Sequence, residues 1–180
     1  MDQKGLVLIN TGDGKGKTTA ALGTAFRAWG DGQRVLILQF IKGAWKYGEL
    51  EAVRALGERI QIRPMGDGFV FYHKDSDDAA LFEKKKEKAQ HAWKMVEQEV
   101  SGGQWDLIVL DEINYAIHFG LIDVSWAVRL IRERPAGLNL ILTGRYARPE
   151  LIELADTVTE MKLIKHAFQK GIRARRGIEF

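Results

Sequence analysis

The stretch that most constrains the fold is residues 5–19, where a short apolar run leads through three closely spaced glycines into Lys17-Thr18-Thr19. The apolar run is typical of a buried strand, and the alanine-rich pattern that follows is typical of a helix. A strand, a glycine-rich loop and a helix in this order predict a phosphate-binding loop. Glycines let backbone N–H groups turn around phosphate oxygens, and the helix start adds unpaired N–H groups and the positive end of its dipole.

The side chains of this loop supply further nucleotide contacts. Lys17 is expected to reach the terminal phosphates, and the Thr18 hydroxyl is placed to ligate Mg²⁺. Thr11 stands where the usual pattern has its first glycine, so the match has one departure. A glycine turn that binds nothing is the alternative, but such a turn does not require Lys-Thr at the start of a helix. The predicted nucleotide-binding residues are Gly12, Asp13, Gly14, Lys15, Gly16, Lys17, Thr18 and Thr19.

Length and composition add bounds to this prediction. The 180 residues are expected to form a single domain, 1–180, that is large enough for a substantial core. No apolar run approaches a membrane span and no secretory signal is evident, which predicts a protein without membrane association. The absence of cysteine excludes disulfides and thiol chemistry and favours the cytoplasm. A net charge of +3 is too small to indicate nucleic acid by itself.

Strand and helix patterns alternate along the whole chain. Continuous apolar strands between helices are typical of a parallel sheet covered on both faces. The sequence therefore predicts an α/β fold, a doubly wound, mostly parallel six-stranded sheet with helices on both faces, whose sixth strand lies at an edge. Predicted strands lie near 5–10, 34–40, 59–63, 105–110, 138–143 and 157–163, and predicted helices follow the glycine loop and cover 48–56, 77–100, 126–134 and 149–155.

Two loops at the carboxyl ends of these strands carry charged residues. Asp111-Glu112 follows an apolar strand, as a carboxylate beside nucleotide-bound Mg²⁺ does, although an acidic pair there is also typical of a helix cap. The spacing does not decide which carboxylate is nearer the metal. Arg145 follows the fifth strand and is predicted to pair with phosphate oxygens, with a surface turn as the alternative.

A third loop, residues 66–73, carries Phe69, Phe71 and Tyr72. Aromatic side chains in a loop at the ligand edge suggest a second, flat, apolar ligand. The alternative is a loop that folds back onto the core.

Several motifs together resemble the P-loop corrinoid adenosyltransferases of the CobA/BtuR/CobO type, also called cob(I)yrinic acid a,c-diamide adenosyltransferases. The resemblance covers nearly the whole chain in the right order. Gln-Phe-Ile-Lys-Gly and the Lys-His-Ala-Phe tail are specific, since generic P-loop proteins lack them. The motifs are Gly-Asp-Gly-Lys-Gly-Lys-Thr-Thr-Ala-Ala, Gln39-Phe40-Ile41-Lys42-Gly43, Leu110-Asp111-Glu112, Thr143-Gly144-Arg145 and Lys165-His166-Ala167-Phe168 with Gly171-Ile172 and Gly177-Ile178.

This resemblance implies a RecA-like fold and an enzyme that transfers the 5′-deoxyadenosyl group of ATP to the Co(I) of a corrinoid, with release of inorganic triphosphate. Cobalamin, cobinamide and cobyrinic acid a,c-diamide are the implied substrates, in adenosylcobalamin biosynthesis or salvage. It implies Mg²⁺, with Mn²⁺ as an alternative. It also implies a homodimer and a flavin-type reductant protein as a partner, without nucleic acid.

The resemblance also implies roles for individual residues. Co(I) is itself the nucleophile, so the protein positions and stabilises the triphosphate leaving group. Lys17 and Arg145 would neutralise that group, together with a Mg²⁺ held by Thr18 and Glu112. ATP is expected to lie reversed in the loop relative to ordinary P-loop enzymes. Phe69 and Phe71 would pack near the lower face of the corrin, where displacing an axial ligand makes Co(II) easier to reduce.

Three departures from the family pattern qualify these expectations. Asp13 stands where some relatives have asparagine, so Mg²⁺ or Lys15 would have to offset its carboxylate. Phe71 replaces a tryptophan common in relatives. The first predicted strand begins close to Met1, whereas longer members carry an N-terminal extension that covers the corrinoid, so a more open site is expected.

Two other functions share part of this pattern. An ordinary P-loop ATPase or kinase would use the same loop, Lys17 and Glu112, but would produce ADP. A RecA-like ATPase that binds nucleic acid is suggested by the sheet type and by the basic tail, residues 165–176. Such a protein would bind single strands in a steeply salt-dependent manner.

Overall fold

The computed structural model describes residues 4–41, 48–65 and 79–179. Strands and helices alternate along most of it, as the sequence predicts, and two successive helices lie between the fourth and fifth strands. The strands are β1 (Val7–Thr11), β2 (Val35–Gln39), β3 (Ile60–Pro64), β4 (Leu107–Asp111), β5 (Asn139–Thr143) and β6 (Thr157–Glu160). The helices are α1 (Lys17–Gly30), α2 (Gly48–Leu56), α3 (Ala79–Ser101), α4 (Ile113–His118), α5 (Val124–Glu133) and α6 (Pro149–Ile152), and a short 3₁₀ helix covers Ala167–Lys170.

The six strands form one sheet in the order β3-β2-β4-β5-β1-β6, and every neighbouring pair is parallel. The prediction of a parallel six-stranded sheet with β6 at an edge is confirmed. In this order β1, β4 and β5 are central. Their carboxyl ends therefore bring the phosphate-binding loop, the acidic pair and the loop with Arg145 to one edge of the sheet.

The central strands are apolar throughout because both faces of the sheet are covered. Side chains alternate along a strand, so Leu36 and Leu38 of β2 join one core while Val35 and Ile37 join the other. The first core includes Trp93 and other residues of α3, α4 and α5, and the second includes residues of α1 and α2. The predicted arrangement of helices on both faces is confirmed.

Several elements differ from the sequence prediction, among them α6, which ends at Ile152 rather than at residue 155. Helix α4 begins immediately after Glu112, a stretch that the sequence analysis treated only as a loop. Strand β6 ends at Glu160 rather than near residue 163, and its four residues are exposed. Among the helices that the structure describes, none is both long and apolar enough to cross a membrane.

Candidate active site

The phosphate-binding loop joins β1 to α1 through left-handed glycines. Gly12 and Gly16 have φ angles of 95° and 115°, which side chains with a Cβ rarely adopt. A Cβ on Gly12 would also lie 2.5 Å from the carbonyl oxygen of Met161. Gly14 donates its N–H to that same oxygen at 2.7 Å. The glycines therefore allow the loop to turn and leave room for the chain that follows β6 to pack closely against it.

Lys17, the first residue of α1, is almost completely buried, with 8% of its surface exposed. Its ammonium donates to the carbonyl oxygens of Gly12 and Gly14 at 2.8 and 2.7 Å. Burial lowers the pKa of Lys17 below the ordinary lysine value, and nearby Arg145 lowers it further, while Glu112 and Asp13 raise it. The loop thus holds a desolvated cation at its centre.

Asp111, at the end of β4, is the centre of a buried hydrogen-bond network. It is fully buried, and its Oδ1 accepts from the hydroxyls of Thr18 and Thr143 at 2.8 and 2.7 Å. Its Oδ2 accepts from Nε2 of Gln39 at 3.1 Å. Three donors occupy most of the four lone-pair positions of the carboxylate. Roles for Gln39 and Thr143 were not predicted from the sequence, although each is a polar residue at the end of an apolar strand.

Glu112 adopts the left-handed conformation, with φ of 62°, just before α4. Its backbone N–H donates to Oγ1 of Thr143 at 2.9 Å. A Cβ on Gly144 would lie 3.2 Å from Oε2 of Glu112, and the charge of Glu112 acts on Lys17. Its carboxylate therefore lies between the loop after β5 and the phosphate-binding loop.

Arg145 lies at the rim of the phosphate-binding loop. Its Nη2 donates to the carbonyl oxygen of Asp13 at 3.4 Å, and its Nη1 is 4.0 Å from a carboxylate oxygen of Asp13. Both side chains are about half exposed or more, at 48% and 67%. Arg145 rather than Lys15 is thus the cation next to Asp13. Lys15 instead pairs with Glu179, and it also donates to the carbonyl oxygen of Ile178 at 2.7 Å.

Four aromatic rings lie beside this site, which the sequence analysis did not predict. His118 and Tyr146 stack with their ring centroids 4.1 Å apart, and Tyr115 lies 4.4 Å from Phe119. Tyr146 has a positive φ of 61°. Burial raises the pKa of Tyr115 above its ordinary value. A sequence signal existed in the helical spacing of Tyr115, His118 and Phe119, but α4 itself was not predicted.

The structure brings most of the sequence-predicted site residues to one edge of the sheet. Thr18 lies on α1, Asp111 and Glu112 lie at the end of β4, and Arg145 lies in the loop after β5. Thr19 is exposed on α1. Phe69 and Phe71 lie outside the described residues.

Within the described part of the chain, no three His, Cys, Asp or Glu side chains group as a metal site would require.

Comparison with known proteins identifies close relatives. The family model described as ATP:corrinoid adenosyltransferase BtuR/CobO/CobP matches residues 3–180. A corrinoid adenosyltransferase of Pseudomonas aeruginosa is 42% identical over 180 residues, which cover 99% of this chain and 85% of that protein. One from Escherichia coli is 38% identical over 179 residues, covering 99% and 87%. The crystal structure of the RadB recombinase shares the fold, with a TM-score of 0.51 at 15% identity, over 88% of this chain and 75% of that one.

Proposed function

The chain belongs to the ATP:corrinoid adenosyltransferase family, and we propose that its site transfers the 5′-deoxyadenosyl group of ATP to the Co(I) of a corrinoid. ATP-dependent adenosylation of corrinoids is the activity that this membership assigns. A generic P-loop ATPase or kinase and a nucleic-acid-dependent ATPase are not favoured, because the family match spans the whole described chain. The fold is RecA-like, as the RadB likeness and the parallel sheet indicate.

The single observation that carries the mechanism is the buried ammonium of Lys17 on the loop carbonyls, next to a Thr18 hydroxyl that donates to buried Asp111. In the transfer, the Co(I) electron pair forms a bond to carbon 5′ of ATP. The bond from carbon 5′ to its oxygen breaks, and that oxygen leaves as part of inorganic triphosphate. Because the attacking group belongs to the substrate, the protein has no nucleophile to supply. Its task is to orient ATP and stabilise charge on the leaving group.

Lys17 and Arg145 are the cations proposed to stabilise that leaving group. Lys17 is already desolvated, so its attraction for phosphate oxygens is weakened little by water. Its two present acceptors are loop carbonyls, which leaves one of its three protons for a phosphate oxygen. Arg145 at the rim offers a planar pair of N–H groups suited to phosphate.

The residues present fit a bound Mg²⁺ ion. Thr18 and Glu112 would hold it, while Asp111 orients the Thr18 hydroxyl, whose proton it accepts. Gln39 Oε1 is a buried acceptor with no hydrogen-bond partner among the described residues, and a metal-bound water would satisfy it. The ion would supply positive charge to the triphosphate oxygens. Mn²⁺, which accepts the same oxygen ligands, is the alternative.

The remaining parts of the proposal concern the corrinoid and the cell. Phe69 and Phe71 are proposed to pack against the lower face of the corrin and to enforce four-coordinate Co(II) before its reduction. A flavin-type protein would supply the electron. We also propose a homodimer that works in the cytoplasm.

The transfer is tested by mixing the protein with Mg²⁺-ATP and a chemically reduced corrinoid. Triphosphate and a light-sensitive cobalt–carbon product should form one-for-one, while ADP should form very slowly with or without the corrinoid. Lys17→Ala should lower turnover by roughly 10²-fold, the scale for removing one preorganised charge stabiliser. Lys94→Ala, at an exposed lysine of α3, is the matched control. Rapid formation of ADP without corrinoid would reject the proposal.

A further inference from the structure

Thr143 bridges the two acidic residues of the site. Its hydroxyl donates to Oδ1 of Asp111 at 2.7 Å and accepts the backbone N–H of Glu112 at 2.9 Å. Thr143 is fully buried at the end of β5, and α4 begins directly after Glu112. The Thr143 hydroxyl of β5 therefore fixes both the Asp111 side chain of β4 and the backbone of Glu112.

The bridge matters because Glu112 has an uncommon backbone conformation. Its φ of 62° costs free energy for a residue with a Cβ, so other contacts must maintain it. The hydrogen bond from the Glu112 N–H to Thr143 is such a contact. Gly144 helps in a different way, since any Cβ there would crowd Oε2 of Glu112 at 3.2 Å. The Thr143-Gly144 pair thus leaves room for the Glu112 carboxylate and holds its backbone.

We propose that Thr143 is a positioning residue for the metal-nucleotide site, acting on Thr18 through Asp111 and on Glu112 through its backbone. This inference rests on the proposed function, in which Thr18 and Glu112 hold Mg²⁺. Three donors hold the Asp111 carboxylate, so loss of the Thr143 hydroxyl leaves that carboxylate, which orients the Thr18 hydroxyl, less firmly fixed. The same loss leaves the part-buried N–H of Glu112 without the Thr143 hydroxyl as its acceptor. Both proposed metal ligands would then be less well ordered.

A purely structural role for Thr143 makes a different prediction. A buried threonine whose methyl group fills space would matter through volume, and its loss would lower stability without changing the response to metal. Valine keeps the volume of threonine and removes the hydroxyl, whereas serine keeps the hydroxyl and removes the methyl group. These two variants separate positioning from packing.

The test measures ATP binding by titration calorimetry, first in EDTA and then at increasing Mg²⁺. Thr143→Val should raise the Mg²⁺ concentration needed for half-maximal enhancement of ATP binding by about 10-fold or more, as loss of a group that orients metal ligands does. Binding in EDTA should change much less. Thr143→Ser should restore the wild-type Mg²⁺ dependence. Thr143→Ala also removes the hydroxyl, and its Mg²⁺ dependence serves as the test if the valine variant does not fold.

Leu140→Val provides a destabilised control, because Leu140 is fully buried on the same strand and makes no contribution to the polar network. It should lower the melting temperature and leave the Mg²⁺ dependence unchanged. The inference is overturned if Thr143→Val keeps the wild-type Mg²⁺ dependence, or if Thr143→Ser is as impaired as Thr143→Val. A wild-type protein that binds Mg²⁺-ATP in this way but transfers no adenosyl group would instead reject the proposed function and leave the role of Thr143 intact.

Discussion

Lys15 of the phosphate-binding loop forms an ion pair with Glu179, with 2.7 Å between Lys15 Nζ and Glu179 Oε2. The same ammonium donates to the carbonyl oxygen of Ile178 at 2.7 Å. The hydrogen bond from Lys15 holds the pKa of Glu179 below its ordinary value. One loop lysine thus ties the C-terminal segment, residues 161–179, to the nucleotide site.

We expect Glu179→Gln to loosen the C-terminal segment without unfolding the protein. A partly exposed ion pair contributes little to global stability, so the melting temperature should hardly change. Amide hydrogen exchange in residues 161–179 should become faster, since the segment loses its charge-assisted contact with Lys15. Glu153→Gln, at an exposed glutamate of the loop after α6, is the control and should leave the exchange unchanged.

Acidic pH should also loosen this segment in the wild-type protein, which is seen as lower protection factors because intrinsic amide exchange itself slows as the pH falls. The pKa of Glu179 is lowered in the folded protein, so its ion pair contributes its full stability only above the ordinary glutamate pKa. That stability is lost as the pH falls through the lowered pKa. Protection factors in the C-terminal segment that are unchanged both by Glu179→Gln and by acid would show that the ion pair does not hold the segment.

ATP binding should take up protons in alkaline solution because of Lys17. Burial lowers the pKa of Lys17 in the free protein, so part of it is neutral as the pH approaches the ordinary lysine value of about 10.4. Phosphate charges next to the ammonium raise that pKa, and the neutral fraction then binds a proton. The affinity for ATP should therefore fall with rising pH in this range.

Proton uptake is measured by calorimetry in two buffers of different ionisation enthalpy. It should be small near pH 8 and larger near pH 9.5, where phosphate oxygens, whose second pKa is about 6, no longer titrate. Lys17→Arg keeps a positive charge that does not titrate, so it should remove the uptake. Equal uptake in the wild type and in Lys17→Arg would assign the proton to another group.

Gly14→Ala should destabilise the protein through contact with the chain after β6. A Cβ at Gly14 would lie 2.7 Å from the carbonyl oxygens of Met161 and Lys162, and backbone atoms cannot move away cheaply. Overpacking of this kind typically costs about 1–3 kcal/mol. Chemical denaturation should report this loss in the free energy of unfolding.

Gly23→Ala is the matched control for that substitution. Gly23 is exposed in α1, and a Cβ there would meet nothing within 4 Å. Alanine in a helix interior is favoured over glycine by about 0.5–1 kcal/mol, so this variant should be more stable than the wild type. A Gly14→Ala variant that is as stable as Gly23→Ala would contradict the close approach.

The sequence predicted β2, β4 and β5 well because their apolar runs are buried on both faces of the sheet. It predicted the phosphate-binding loop because glycines and Lys17-Thr18 lie together in the chain. The hydrogen bond between Gln39 and Asp111 depends instead on strand order, since these residues are partners in register only because β2 lies beside β4. The ion pair of Lys15 with Glu179 joins distant positions that share no periodic pattern. Helix α4 was missed because its first turn follows a left-handed glutamate, which propensity does not favour.

The two aromatic residues Phe69 and Phe71, which lie outside the described residues, give the sharpest remaining test of the corrin site. If they pack against the corrin, replacing both by alanine should spare ATP binding and the fold. The loss should fall on adenosylation that starts from Co(II), because four-coordinate Co(II) is no longer enforced. Chemically reduced Co(I) should be adenosylated with a much smaller defect. If the rings belong instead to the core, each truncation should cost about 3–5 kcal/mol of stability. Activities from Co(II) and from Co(I) would then fall together with the melting temperature, and that result would reject the assignment to the corrin.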